Sequence, residues 1–324
     1  MHPAFSVIFL TTLIGAGQGL FLALFTVQTY GVLHLLPGAD SVSFYGVGAL
    51  LALLLLVGGL IASVFHLGHP ERAWRAATRW RSSWLSREVI VLPAFMGLVF
   101  VYAALHLFGW DPVVVATPGA QFPLTVAVGT LGTVVALALF LATGMIYAAI
   151  RFLQEWASPL TVINYTLLGT ASGFTLATAF AAHTAPGLVH FLGGWAIILT
   201  LAGLVTRSAS LLRNARLKPK STLQTAIGIK HPQIQQKAQG QMGGSFNTRE
   251  FFHGKAVSWL KAIRWFFLVM AFVLPVLLLW WGLAADVPTA LASAFIVQYS
   301  GLLAERWFFF AQANHPQNLY YQTI

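Results

Sequence analysis

The sequence predicts an all-α, polytopic membrane protein with eight transmembrane helices and cytoplasmic N- and C-termini. Three observations carry that prediction. The 324-residue chain is 58% hydrophobic and 8% charged, with a mean hydropathy of +0.77, far too apolar for an ordinary soluble domain. Its apolar residues gather into runs close to the ~20 residues needed to cross the hydrocarbon layer. Its 18 Lys and Arg all fall on one side of the membrane once those runs are counted as crossings.

The first run covers roughly 5–30. The opening MHPAFSVIF lacks the basic n-region of a secretory signal, and the apolar stretch outlasts an h-region, so it reads as a retained first span. The next four are 44–66, 87–108, 124–150 and 159–182, followed by 187–212, 262–285 and 288–310. Pro93 and Pro275 sit inside two of these runs and predict local kinks. Between the sixth and seventh lies the one long polar stretch, 213–261, read as a cytoplasmic loop, flexible or ordered by a partner. The whole of 1–324 is otherwise a single transmembrane anchor domain. No cysteine is present, so this chain alone builds no disulfide, Cys-ligated zinc or iron–sulfur cluster.

Eight crossings return the loops after the second, fourth and sixth spans, and the C-terminus, to the side of the N-terminus. All the basic residues lie there or in the adjoining membrane turns, Arg207 and Arg306 among them, whereas the opposite loops carry Asp40, Asp111 and Asp286. By the positive-inside rule the basic side is cytoplasmic, and one crossing more or fewer would scatter the charges.

Topology and attraction to anionic headgroups account for most of these cations. They account less well for the segment FHLGHPERAWRAATRWRSSWLSREV, residues 65–89, where five arginines interleave with Trp74, Trp80 and Trp84. Arg with Trp is the composition of a protein interface. Arg72, Arg75, Arg79 and Arg81 therefore form the expected docking face for a cytoplasmic protein. Nucleic acid is not expected, because so short a loop presents no groove-reading element.

His66 and Glu88 admit two readings. His66 falls in the last turn of the second span, before Gly68 and Pro70, where an imidazole suits the negative helix end. Glu88 follows Ser86, a good N-cap, in the first turn of the third span, where a carboxylate suits the positive end. Alternatively, two ionisable groups at one depth on consecutive antiparallel helices could pass protons to a bound redox ligand.

The runs HLGHPERAWRA and SSWLSREV resemble the signature between the second and third spans of the membrane-anchor subunits of dimethyl-sulfoxide-reductase-type (DmsC-like) molybdoenzymes. GAGQG at Gly15–Gly19, the segments from Met145 to Gly169, and AERWFFF at Ala304–Phe310 extend the resemblance over nearly the whole chain. It implies eight transmembrane helices, no haem and no metal site. It also implies a site where electrons pass between membrane quinone, ubiquinone or menaquinone, and a four-cluster iron–sulfur subunit carrying a molybdopterin catalytic subunit. It places the quinone-site histidine at His66 and the acid at Glu88; Gln18, Trp84, Ser86, Arg87 and Arg306 are the further candidate quinone contacts.

The cytoplasmic placement of the basic face departs from the family's founding members, whose catalytic subunits are exported. It is similar to the cytoplasm-facing sulfite-oxidising enzymes of sulfur bacteria, and it implies sulfite oxidation with quinone reduction at a bacterial inner membrane. The reverse flow, a dimethyl sulfoxide or other reductase oxidising menaquinol, is the alternative.

Other residues are read more plainly. Gly15, Gly17 and Gly19 signal close helix packing, with Gln18 among them able to face a quinone oxygen. Glu305 and Arg306 read either as an end-of-helix ion pair or as part of the site. His106, His183 and His190 approach the opposite side and raise a b-type haem as an alternative, though interfacial histidine is the simpler account. A transporter would call for charges or broken helices near the midplane, and the span centres offer no clear candidate.

Overall fold

The computed structural model of the protein describes residues 4–117, 120–218, 221–235, 237, 256–314 and 316. Helix α1 (Phe5–Val32) leads into a π-helical turn, Ser41–Gly46, that opens α2 (Val47–Val64). A run of 3-10 turns, Pro70–Arg79, crosses to α3 (Trp84–Phe108). Strands β1 (Val113–Thr117) and β2 (Ala120–Pro123) form an antiparallel ribbon before α4 (Leu124–Ala148). Then follow α5 (Pro159–Thr184), α6 (Val189–Ala215) and the short α7 (Leu223–Ile227). Helices α8 (Val257–Leu268) and α9 (Leu274–Ala284) are joined by a π-helical turn into one rod, and α10 (Pro288–Ala311) closes the bundle. Every apolar run has become a helix. Much of the 213–261 loop, including Arg249 and Lys255, lies outside the described residues.

Among the described residues, six helical segments are long and apolar enough to cross a membrane: Phe5–Val32, Ser41–Val64, Trp84–Phe108, Leu124–Ala148, Pro186–Ala215 and Val257–Ala284. They make the chain an integral membrane protein. The other two long helices, α5 and α10, are the polar ones, and they are also among the best buried. Helix α5 tolerates burial because its hydroxyls bond back onto their own helix: Thr170 Oγ1 donates to Thr166 O at 2.7 Å, and Thr178 Oγ1 to Phe174 O at 2.8 Å.

Helix α1 is the central post, packed on α2, α4, α5 and α10. Its glycines decide how closely it can be approached. A β-carbon added at Gly19 would overlap the Gly169 carbonyl, and one at Gly173 would overlap the Gly19 backbone, so α1 and α5 meet main chain to main chain. Gly17 turns the other way, toward Ala52 and Leu56 of α2.

Two sequence expectations change at the helix ends. The N-cap of α3 is Ser83, not Ser86: the Ser86 amide donates to Ser83 Oγ at 3.4 Å, and the helix starts at Trp84. Ser83 leaves the helix with an extended backbone, as a cap must, while Ser86 is already helical and buried. Glu88 therefore stands in the second turn rather than the first. His66, conversely, lies just past the end of α2, exposed in the following turn.

The prolines behave differently from each other. Helix α3 runs through Pro93 as one helix. Pro275 lies just past the π-helical turn Val269–Val273, where it can donate no amide, and Gln298 Nε2 of α10 donates into the same turn at Ala271 O, 3.5 Å away.

One end of the bundle is tied together by polar side chains. Arg213 Nη1 reaches Gln154 O at 3.1 Å, Trp156 Nε1 donates to Phe309 O at 2.9 Å, and the Asn314 amide donates to Glu155 Oε2 at 3.2 Å. This end joins the close of α6, the α4–α5 turn and the close of α10.

Candidate functional site

The cleft near that end is built by five helices at matched depth. Glu88 is the fifth residue of α3, Thr143 stands five residues before the end of α4, Tyr165 is the seventh residue of α5, and Arg306 stands five residues before the end of α10. At ~1.5 Å per residue, all lie roughly 6–9 Å in from their helix ends. Antiparallel neighbours thus bring distant sequence positions to one level. With Gln18 and the Thr11–Thr12 pair of α1, they line a cleft of about 30 Å³ whose remaining wall is apolar apart from Ser172, with Leu10, Ile14, Phe140 and Leu302 in it. That is room for a water or two, so a larger ring enters only if these side chains part.

The polar groups are arranged as donors and one acid. Thr143 Oγ1 donates a very short hydrogen bond to Glu88 Oε1. Gln18, 1% exposed, donates from Nε2 to Ala136 O at 2.8 Å and keeps its second N–H. The Arg306 guanidinium stacks 4.1 Å over the Tyr165 ring, which itself stacks on Tyr147 at 5.6 Å. Tyr165 Oη and Arg306 Nη1 are buried outside good hydrogen-bonding geometry, though the hydroxyl and the guanidinium lie close enough to interact with each other.

Behind Arg306 lies a buried charge triad. Glu305 Oε2 accepts from Arg306 Nε at 2.6 Å, and Glu305 Oε1 is 2.6 Å from Arg207 Nε of α6, with Arg207 and Glu305 side chains only 1% and 0% exposed. Aromatic faces line the cations, Phe267 beneath Arg207 at 5.6 Å and Phe309 beneath Arg306 at 5.0 Å.

The structure thus gathers Gln18, Glu88 and Arg306 in one cleft. His66, Trp84, Ser86 and Arg87 stand outside its lining. Arg87 closes the preceding loop, donating to Trp80 O and Arg81 O at 3.0 Å each and stacking 4.0 Å over Trp84. Ser86 is buried in the first turn of α3. His66 follows Phe65, which lines an open apolar groove of about 400 Å³ between α1 and α2 with Phe9, Leu13 and Ile61. Partial burial holds the His66 imidazole below the ordinary histidine pKa, so at neutral pH it is a proton acceptor.

Sequence reading assigned no site role to Tyr165, Thr143 or Arg207. Tyr165 and Thr143 carry no charge signal. Arg207 does: it stands eight residues before the end of α6, too deep for a simple interfacial cation.

The arginine-rich segment is open. Trp74 and Trp80 are 66% and 53% exposed, and Arg75 and Arg81 lie over them at 5.6 and 5.3 Å. At the opposite end of the bundle a separate hydrogen-bonded chain runs from Tyr102 Oη to Gln28 (2.8 Å), Thr125 (2.6 Å) and Asp111 (2.7 Å). His106 joins it at Gln28, whose Nε2 is 3.4 Å from the His106 Nε2, and its Nδ1 is 2.8 Å from Ser41 Oγ. His183 and His190 are exposed.

Comparison with known proteins agrees with this architecture. The family described as DMSO reductase anchor subunit (DmsC) matches residues 1–311. The chain is also 59% identical over 325 residues to a sulfite dehydrogenase subunit of Allochromatium vinosum, covering 100% of both chains.

Proposed function

Because the chain belongs to the DMSO reductase anchor subunit family, we propose that it is the quinone-reactive membrane anchor of a molybdopterin and iron–sulfur oxidoreductase. The observation that carries this reading is the convergence of Gln18, Glu88, Tyr165 and Arg306 on one cleft inside an apolar bundle. A quinone is an apolar ring with two carbonyl oxygens, and reducing it takes two electrons and two protons. The poorly aligned donors of Tyr165 and Arg306, with the second N–H of Gln18, suit the oxygens. Glu88, oriented by Thr143, holds a proton at Oε2 or releases one to the ring. His66, neutral and exposed, exchanges protons between the aqueous surface and this end of the bundle.

Electrons come from outside the chain, since without cysteine it carries no ligands for an iron–sulfur cluster of its own. The open Arg72, Arg75, Arg79 and Arg81 face, with its uncovered tryptophans, suits a docked iron–sulfur subunit that in turn carries a molybdopterin subunit. The similarity to a sulfite dehydrogenase subunit favours sulfite as the electron source, with quinone reduced here. All eight long helices cross a bacterial inner membrane in this reading, α5 and α10 at the centre, with both termini and the partners on the cytoplasmic side.

The test is Glu88→Gln in the assembled complex. Sulfite-driven reduction of a soluble quinone analogue should fall about 100-fold, the usual scale for removing a proton-transfer group. Sulfite oxidation with an artificial acceptor on the soluble subunits should be unchanged. Undiminished quinone reduction by this variant would sink the reading.

A further inference from the structure

The buried triad adds up to a surplus cation. Arg207 and Arg306 share the single carboxylate of Glu305, and all three side chains are withdrawn from solvent. A net positive charge inside a bilayer-spanning bundle is costly unless something anionic answers it. Within the triad there is no second carboxylate: Arg306 Nη1 and Arg207 Nη2 are buried outside good hydrogen-bonding geometry, and the group beside Arg306 is the neutral Tyr165 hydroxyl. Of the three, Arg306 lines the cleft, so the surplus charge faces the space where a ligand would sit. The other ionisable groups facing that space are Glu88, across the cleft on Thr143, and the hydroxyl of Tyr165, behind which Tyr147 stacks.

Resting on the quinone reading above, we infer that the Arg207–Glu305–Arg306 triad makes this cleft selective for a negatively charged ring over its neutral isostere. Arg306 is the contacting residue. Glu305 and Arg207 are positioning residues: Glu305 pins the Arg306 guanidinium from behind at 2.6 Å, and Arg207 holds Glu305 from the other side. The arithmetic of charge gives the design its logic. Two guanidinium groups against Glu305 leave one positive charge, which an ionised Glu88 would cancel and a protonated Glu88 would leave exposed to the ligand. The cleft then carries its surplus positive charge while Glu88 still holds its proton, the condition in which negative charge arriving on the ring needs a counter-charge.

The experiment compares two probes on the detergent-solubilised, fully assembled complex. One is a 2-hydroxy-1,4-naphthoquinone with an alkyl chain at C3, an anion at neutral pH; the other is its neutral 2-O-methyl ether. Both are titrated as competitors of quinone reduction. The wild-type complex should hold the anion about tenfold or more tighter than the ether. Arg306→Gln should bring the ratio to near one, and Arg306→Lys should keep most of it. Glu305→Gln, which removes the one carboxylate shared by the two guanidinium groups without removing volume, should raise the ratio. This variant keeps the test decisive where Arg306→Gln does not assemble. A wild-type ratio near one, or a ratio unmoved by Glu305→Gln, overturns the selectivity alone. Failure of both probes to compete would instead remove the quinone site itself, and the inference with it.

Discussion

At the scale of single residues, the ionic triad is the most demanding feature of the chain. Removing one member of a buried pair typically costs about 3–5 kcal/mol, because the abandoned partner stays buried and charged. Glu305→Gln, which strands both guanidinium groups, should therefore lower the thermal unfolding midpoint sharply, and adding Arg207→Met should recover part of the loss. Equal midpoints for wild type and Glu305→Gln would show that the triad does not hold α6 against α10. The residues of the cleft were unevenly legible. Glu88 was visible as an acid beside a span, yet a helix-start role explained it until Ser83 proved to be the cap and moved it one turn deeper. Gln18 was flagged by its glycine neighbours, which do pack backbone to backbone. Tyr165 and Thr143 were illegible, since neutral side chains acquire meaning only through the helices packed on them. Arg207 was readable in principle, but counting it among the topology-setting cations hid its depth.

Among the elements, the long helices were the readable part. Each reports itself by about 20 apolar residues, a pattern that lipid imposes on the sequence directly. Their ends were less clear, because the caps depend on one hydroxyl. Ser83→Ala should cost about 1 kcal/mol by freeing the Ser86 amide, whereas Ser86→Ala removes no cap; comparing unfolding midpoints of the two tests the assignment. The β1–β2 ribbon escaped notice because it lies in a short connection, where Val113–Val115 adds little to any hydropathy window. Pro275 announced a break but not the donor beside it, since Gln298 lies on the neighbouring helix, 23 positions later in the chain.

The whole molecule poses the question of which way it faces. The natural absence of cysteine makes that measurable. Ser82→Cys, exposed beside the arginine segment, should react with a membrane-impermeant maleimide only in inverted vesicles, and Val114→Cys, exposed on β1, only in intact spheroplasts. The opposite pattern would place the docking face outside the cell. Charge asymmetry in the sequence predicts the sidedness that this labelling tests, while the burial of α5 and α10 was not legible, because polarity alone does not distinguish an inner helix from a loop.

The ribbon at the Asp111 end turns all five residues of β1 outward, and beside it Phe108 and Trp110 are 85% and 65% exposed. So much uncovered grease next to a carboxylate behaves as a float line: it sinks until the headgroups stop it. In the orientation proposed above, the outer leaflet would thereby set the draught of the hull, and with it the height at which the proposed redox berth meets the opposite shore.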